Sequence, residues 1–420
     1  MKGFAIREQM NGVEEPPGKT WFWELEAGVI LADRCIQCGT CVAVCPSDSI
    51  GIRPEDGLPA LVKMCTGCSL CWDFCPRGGL RYEALWPPSK PTGDADLPAE
   101  TRPDPADPHS KVTGAQPGDG LGAVLERYAV RAGSRVDGVQ DGGVVTALLL
   151  AALAAGDIDG ALVSRPSREP NEPWKGVAHV ATTADEVLEA AGSFYNQTMA
   201  LAALDLSRYQ LPPRPRLAVV GTPCEIQGIR AMQARRWPTG AHRVDAVVLT
   251  IALLCTKNFD YEALTLRELR DKRGLDMDRV GKVDVIHGRL IVEYLDGTVA
   301  VDEPIKEFHG AALKGCDECA DFLGRGADLS VGSVGSIQGW SSLLVRTEAG
   351  LAAFNRARGR LEVRELDDPE ALQRLDRLDK RIAERSLQRR FDPEAPLFID
   401  YAEHSSCYAG TDRAPVTLRR

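Results

Sequence analysis

Eight of the thirteen cysteines form two copies of one pattern, Cys35-x2-Cys38-x2-Cys41-x3-Cys45-Pro46 and Cys65-x2-Cys68-x2-Cys71-x3-Cys75-Pro76, offset by thirty positions. Three thiolates at i, i+3 and i+6 wrap a tight loop around one cubane, and the fourth, beside a helix-ending proline, reaches across to the other. The spacing therefore predicts that Cys35, Cys38, Cys41 and Cys75 hold one 4Fe-4S cluster, and Cys65, Cys68, Cys71 and Cys45 a second. Structural zinc sites use pairs of CxxC rather than runs of three closed by Cys-Pro. The pattern implies electron transfer.

At 420 residues the chain is long enough for two or three domains and at least one sizeable core. The formal net charge of -10, with Arg interspersed among Asp and Glu, argues against a nucleic-acid footprint. Cysteine-rich chains in a reducing compartment keep their thiols free for iron, and an odd count fits disulfides poorly. Met1 to Gly18 lacks a basic start followed by an apolar run, so no signal peptide is expected and a cytoplasmic location is. The apolar stretch Val144–Ala155 is too short to cross a bilayer.

Residues 1–86, with a core at 30–82, read as a two-cluster, bacterial-type ferredoxin module whose repeat predicts a pseudo-twofold arrangement. Short strands are expected at Ile50–Ile52, Ala60–Lys63 and Leu80–Tyr82. Residues 87–120 are rich in Pro, Asp and Gly and read as an extended linker. From 121 to 362, β-rich runs alternate with helical stretches. The runs are Arg127–Arg131, Gly160–Ser164, Arg216–Val220, Arg243–Leu254, Val283–His287, Leu290–Tyr294, Leu329–Gly332 and Ser342–Arg346. Helical periodicity fits Val144–Ala155, Ala184–Ala190, Met199–Leu204, Glu225–Ala234 and Tyr261–Arg273. The expected class is α+β, with a mixed α/β domain after the module. Residues 363–420 hold a charged helix, Leu366–Arg390, read as a surface or partner-packing element, then an irregular tail from Phe391.

Four more cysteines fall in the α/β region: Cys224, Cys255 and Cys316-x2-Cys319, leaving only Cys407. Four thiols suffice for a third 4Fe-4S cluster. Two separate buried cysteines plus an incidental CxxC, or a redox disulfide between Cys316 and Cys319, fit the spacing as well.

Five ordered segments resemble the beta subunit family of coenzyme F420 hydrogenase and dehydrogenase: Gln140–Leu149, Gly221–Gly228, Cys255–Glu262, Gly315–Phe322, and Ala327–Gly335 followed by Gly339-Trp340. The resemblance implies a domain that binds FAD and one 4Fe-4S cluster, with Cys224, Cys255, Cys316 and Cys319 as ligands. Members with an attached two-cluster module include F420H2 dehydrogenase input subunits, F420-dependent formate dehydrogenases and the plant-type 7-hydroxymethyl chlorophyll a reductase. The long Pro-rich linker departs from many members and leaves open how the module docks.

On this resemblance FAD would convert between the hydride pair of coenzyme F420, the substrate, and the single electrons of three clusters. No GxGxxG fingerprint is present, so a Rossmann mode is not expected. Gly142-Gly143, opening the apolar helix that contains Thr146, is the phosphate-binding candidate, although a plain turn would look the same. Thr222 and Pro223 follow a strand and could approach the flavin, with Thr222 equally natural as a helix N-cap. Lys257 and Asn258 could meet the flavin edge or the acidic side chain of F420, against a solvated lysine and a capping asparagine. Trp340 could cover a ring face or simply pack. No histidine shows metal spacing. The expected activity is electron transfer between F420 and a redox partner subunit or ferredoxin-like carrier, in a hetero-oligomeric complex. A ferredoxin-dependent reductase of an organic substrate and an electron-transfer adaptor without F420 activity are the alternatives.

Overall fold

The computed structural model of the chain describes residues 21–78, 121–122, 124–134, 138–234 and 243–387. The strand expected at Leu80–Tyr82, the linker 87–120 and the tail from Phe391 lie outside these residues. No helix among the described residues is long and apolar enough to cross a membrane.

The two halves of the cysteine repeat adopt the same backbone. Helix α1 (Phe22–Leu25) leads into α2 (Thr40–Val44), the antiparallel hairpin β1 (Ile50–Ile52) and β2 (Pro59–Leu61), and α3 (Leu70–Asp73). Gln37 and its repeat mate Gly67 are left-handed, with φ of 52° and 65°, as are Gly39 and Ser69, with φ of 80° and 70°. A left-handed residue with a side chain costs about 1–2 kcal/mol. The same conformation at matching places in both halves shows that the cysteine loop itself demands it. Phe22, Leu25, Val29, Ile30, Ile50 and Trp72 close around Cys41, Cys45, Cys71 and Cys75.

Beyond residue 121 the chain forms β3 (Glu126–Ala132), α4 (Val144–Ala155), β4 (Gly160–Pro166), β5 (Gly176–Ala181), α5 (Ala184–Glu189), β6 (Leu217–Gly221), α6 (Pro223–Ala234) and β7 (Val247–Leu253). A meander follows: β8 (Val280–Ile286), β9 (Arg289–Tyr294) and β10 (Val299–Pro304). The chain then returns through β11 (Leu329–Gly332), β12 (Ser341–Val345), α7 (Glu348–Ala357), β13 (Leu361–Arg364) and α8 (Pro369–Leu387). The main sheet has the order β13-β3-β12-β11-β7-β6-β4-β5. Strands β4, β6, β7 and β11 are parallel, while β5, β12 and β13 pair antiparallel to their neighbours. Both faces are apolar because alternate residues point to opposite sides. Leu162, Leu217 and Val219 face α6, whereas Ala161, Val163 and Ala218 face α4.

Strands β5, β10 and β13 and helix α7 had no clear signal in the sequence. Strand β13 is four residues of alternating Leu, Glu, Val and Arg, held at the sheet edge by pairing with β3. In α7 an internal glycine weakens the helical pattern. A Cβ at Gly350 would stand 2.2 Å from the Asp328 carbonyl oxygen, so close packing on β11 requires it. The stretch Met199–Leu204 is a tight 3-10 turn over Ala200–Leu204 rather than an α-helix.

The ferredoxin module shares a core with the α/β domain. Ala43, Val44, Leu70 and Phe74 pack with Leu201, Ile226, Ile229 and Met232. Arg34 makes a bidentate pair with Glu318, Nε to Oε1 and Nη2 to Oε2, each at 2.5 Å. Arg243 pairs with Asp48, and Lys314 with Asp33. The contact reaches the backbone: a Cβ at Gly39 would lie 2.7 Å from both Ala202 N and Met199 O. Its repeat mate is Ser69, so the repeat departs from symmetry where one half docks.

Helix α8 exposes one charged face, with Glu370, Arg374, Arg377 and Arg381 on it, and buries the other. Leu372, Asp376, Asp379 and Ala383 are all buried, a stripe at i, i+4, i+7 and i+11 that contains two carboxylates. Those carboxylates made the helix read as charged. Asp376 receives both Nη groups of Arg325 at 2.8 Å in a buried fork. Removing one member of such a pair strands the other charge at a cost of about 3–5 kcal/mol. Asp376→Ala is therefore expected to lower stability by about that amount in denaturant unfolding, and a change below about 1 kcal/mol would mean that the fork does not hold α8 in place.

Candidate functional site

Each cysteine quartet comes together in space, and the two in the module cross over at the Cys-Pro positions. Cys45, Cys65, Cys68 and Cys71 line one cavity with Phe22, Ser47, Ser49 and Ile50. Cys35, Cys38 and Cys75 are electrostatic neighbours of Cys41. Backbone N–H groups aim at the sulfurs in matching fashion: Gln37 N–H donates to Cys35 Sγ at 3.4 Å, and Gly67 N–H to Cys65 Sγ at 3.3 Å. Ser49 N–H donates to Cys45 Sγ at 3.2 Å, and Arg77 N–H to Cys75 Sγ at 3.4 Å. Left-handed Gln37 and Gly67 turn these donors inward, an arrangement suited to negative charge on sulfur.

The other four cysteines surround a second cavity, with Ile36, Arg77, Gln197, Pro223, Thr256 and Asn258 completing its wall. Parallel strands deliver two members of this quartet, and a turn delivers the other two. Cys224 lies in the first turn of α6, just past β6; Cys255 follows β7; and Cys316 and Cys319 lie on and just after the turn Lys314–Glu318. The site thus sits beyond the carboxyl ends of adjacent parallel strands, where open α/β sheets hold ligands. Cys316 and Cys319 are not joined to each other by a disulfide. Cys38 and Cys224 are buried together with Ile36 and Cys316, so the first quartet abuts the third. Cys41 also senses Cys71, which puts the first quartet next to the second.

Burial pushes the thiols up: Cys224, Cys255, Cys41 and Cys71 well above their ordinary value, Cys75 to about 12 and Cys319 to about 11. A bare thiolate is disfavoured in these places, whereas a metal that takes up the thiolate charge removes the penalty. Among the described residues no group of three or more His, Cys, Asp or Glu is gathered so as to hold a single ion. The quartet of Cys45, Cys65, Cys68 and Cys71 and that of Cys224, Cys255, Cys316 and Cys319 each line a cavity.

The candidates drawn from the resemblance are placed as follows. Thr222 precedes α6: its N–H and its hydroxyl both donate to Glu225 Oε2, at 2.8 and 3.1 Å, and the hydroxyl lies 3.1 Å from Cys224 Sγ. Pro223 lines the cavity. Asn258 does not cap the following helix, because Asp260 Oδ1 accepts from Ala263 N–H at 2.8 Å. Instead Asn258 donates to Gln197 Oε1, and Gln197 donates to Glu225 Oε1 at 2.7 Å. Lys257 is not simply solvated; it pairs with Asp317 and so joins the Cys255 loop to the Cys316 loop. Gly143, at φ 67°, is the N-cap of α4, which carries the buried Thr146. Gly142 has no room for a side chain, since a Cβ would stand 2.6 Å from Val130 O, and its N–H donates to Ser341 Oγ at 3.2 Å. Trp340 packs with two guanidinium groups, Arg364 lying over its ring at 4.2 Å and Arg131 at 4.7 Å.

Sequence reasoning missed Ile36, Arg77, Gln197, Glu225 and Asp379. Burial pushes Glu225 up to about 7 against hydrogen bonds from Thr222, Ala200 and Gln197. Burial likewise pushes Asp379 of α8 up to about 8, with Asp376, Lys257, Asp321 and Asp317 as its charged neighbours. Neither position carries a spacing signal, because its partners come from remote segments. Gln197→Leu would take away the hydrogen bond that Glu225 Oε1 accepts and the one that the Asn258 amide donates. The variant is expected to lose about 1–3 kcal/mol, read as a lower thermal midpoint, and an unchanged midpoint would mean the chain of polar groups is not structural.

Residues 127–205 match the N-terminal family of the coenzyme F420 hydrogenase/dehydrogenase beta subunit, and residues 215–369 match the family for the C terminus of the same beta subunit. Residues 28–81 match a 4Fe-4S dicluster domain. An uncharacterised protein of Methanocaldococcus jannaschii is 32% identical, covering 83% of this chain and 94% of its own length. The coenzyme F420 hydrogenase subunit beta of Methanothermobacter thermautotrophicus is 37% identical, covering 52% of this chain and 75% of its own length. The coenzyme F420-dependent sulfite reductase of Methanocaldococcus jannaschii is 31% identical over 88% of this chain, which spans 52% of that longer protein. A solved chain of the F420-reducing NiFe hydrogenase complex from Methanosarcina barkeri superimposes with a TM-score of 0.59 at 28% identity, covering 65% of this chain and 93% of that one. With its mixed sheet and its paired cysteine repeats, the chain belongs to the coenzyme F420 hydrogenase/dehydrogenase beta subunit family of oxidoreductases and carries a 4Fe-4S dicluster domain on its N-terminal side.

Proposed function

We propose that the chain moves electrons between coenzyme F420 and a partner redox protein, through FAD and three 4Fe-4S clusters held by the three cysteine quartets. The observation that carries this reading is the contact of Cys38 with Cys224, which sets the third quartet directly against the first. With Cys41 beside Cys71, the quartets form a line from the α/β domain to the outside of the module. FAD, when bound, supplies the exchange between a hydride pair and single electrons.

The chain's own groups suit these roles. Gly142 and Gly143 bring backbone close to the start of the apolar helix α4, where the helix dipole favours phosphate. Beside them Gln140 Nε2 is a buried donor with no protein partner, as is Trp174 Nε1. Tyr195, two residues before Gln197 of the cavity wall, receives the N–H of Val285 on its hydroxyl at 2.9 Å. It links the meander to the sheet end where both the third quartet and α4 begin. At the other end of the line, Trp23, Val62 and Met64 leave apolar surface exposed around the outermost quartet, as a partner contact would use.

Iron content tests the cluster number. Anaerobically reconstituted protein is expected to hold about twelve irons, from three cubanes of four, and Cys255→Ala about eight. A wild-type value of about eight would remove the third cluster from the reading. Stopped-flow mixing with reduced F420 tests the substrate. Bleaching of the flavin absorbance is expected; if it stays unbleached while a reduced ferredoxin bleaches it, the chain is a ferredoxin-dependent reductase instead.

A further inference from the structure

We infer that Arg77 is a shared counter-ion for the first and third cysteine quartets and sets the potentials of both centres together. The inference rests on the reading that each of these quartets holds a cluster. Arg77 follows Cys75-Pro76, and its N–H donates to Cys75 Sγ. Its side chain leaves the ferredoxin module and enters the wall of the cavity formed by Cys224, Cys255, Cys316 and Cys319. There it is 3% exposed. Nε donates to Gly315 O and Nη1 to Pro76 O, so two carbonyls hold the guanidinium plane in place.

Burying a guanidinium costs several kcal/mol unless opposite charge lies close by. The nearest carboxylate among its charged neighbours, that of Glu318, is already engaged on both oxygens by Arg34. What remains around Arg77 is sulfur. Cys319, Cys224 and Cys316 act on it from one side, and Cys35, Cys38 and Cys75 sense it from the other. A thiolate-ligated cluster is an anion that gains one negative charge on reduction, so a fixed cation beside it favours the reduced state and raises its potential. One cation serving two adjacent centres keeps its counter-charge as an electron passes between them. It also makes docking and tuning one event, because the cation comes from the module and its second set of sulfurs from the domain. Arg34 supports this arrangement by donating from Nη2 to the Arg77 carbonyl at 3.1 Å while holding Glu318. In the outermost quartet, of Cys45, Cys65, Cys68 and Cys71, the largest charged neighbours of Cys68 and Cys71 are other cysteines and Asp73.

The test is a redox titration followed by electron paramagnetic resonance on the full chain, comparing wild type, Arg77→Gln and Arg77→Lys after iron assay. In Arg77→Gln two of the three centres are expected to shift to lower potential while the third stays at its wild-type value. Arg77→Lys, which retains the charge but not the planar fork, is expected to leave all three near wild type. Unchanged potentials in Arg77→Gln, an equal shift of all three centres, or equal shifts in both variants would overturn the inference, since a merely structural role predicts the last two. If Arg77→Gln fails to retain iron, Arg77→Lys decides: wild-type potentials support the charge, and shifted ones overturn it. Absence of a third centre in wild type would instead sink the cluster reading beneath it, and the iron assay reports that separately.

Discussion

Desolvation of sulfur sets the terms for this architecture. The inner cysteines lie where water does not reach, and every hydrogen bond and charge around them either offsets that burial or follows from it. Inward N–H groups at Gln37 and Arg77 point at Cys35 and Cys75, thiols that burial pushes up, and those at Gly67 and Ser49 point at Cys65 and Cys45. Buried sulfur of this kind becomes stable as thiolate only when a metal shares its charge. Cofactor assembly and folding of these loops are therefore coupled, and the left-handed strain at Gln37 and Ser69 is tolerated for the same purpose.

The junction between module and domain follows from the same requirement. Cys38 and Cys224 are each buried in part by the other's element, so neither quartet is complete as an environment until the two units meet. The apolar residues of α2 and α3 that would be surface in an isolated module, Ala43, Val44, Leu70 and Phe74, are instead core of the larger domain. Gly228 of α6 and Gly39 of the module permit the approach, because a Cβ on either would collide with the other side. The Arg34–Glu318 fork then fixes the register of a contact that apolar packing alone would leave free to slide.

Helix α8 extends the logic to the far side of the third quartet. It packs against the turn that carries Cys316, and its Asp376 answers the buried Arg325 while Asp379 lies among Lys257, Asp317 and Asp321. A helix that looks solvated by composition thus closes the domain over the third quartet. The chain of Asn258, Gln197, Glu225 and Thr222 plays a comparable part on the opposite wall, and none of its members is free to change without stranding a neighbour.

What could be read from the residues alone is local. The pairing of eight cysteines into two crossed quartets follows from loop spacing, since a strand of three thiols at i, i+3 and i+6 has few ways to turn, and the parallel strands that precede Cys224 and Cys255 were legible as apolar runs. The edge strands β5 and β13, helix α7 and the inward face of α8 were not legible, because pairing and packing with distant segments outweigh their weak local preferences. Folding in three dimensions is what sets the third quartet against the first, engages Trp340 with Arg131 and Arg364, and carries Arg77 from one unit into the other. The reason is physical: charge in a dry interior is answered by whatever group the fold brings within a few ångströms, and separation along the chain says nothing about that distance.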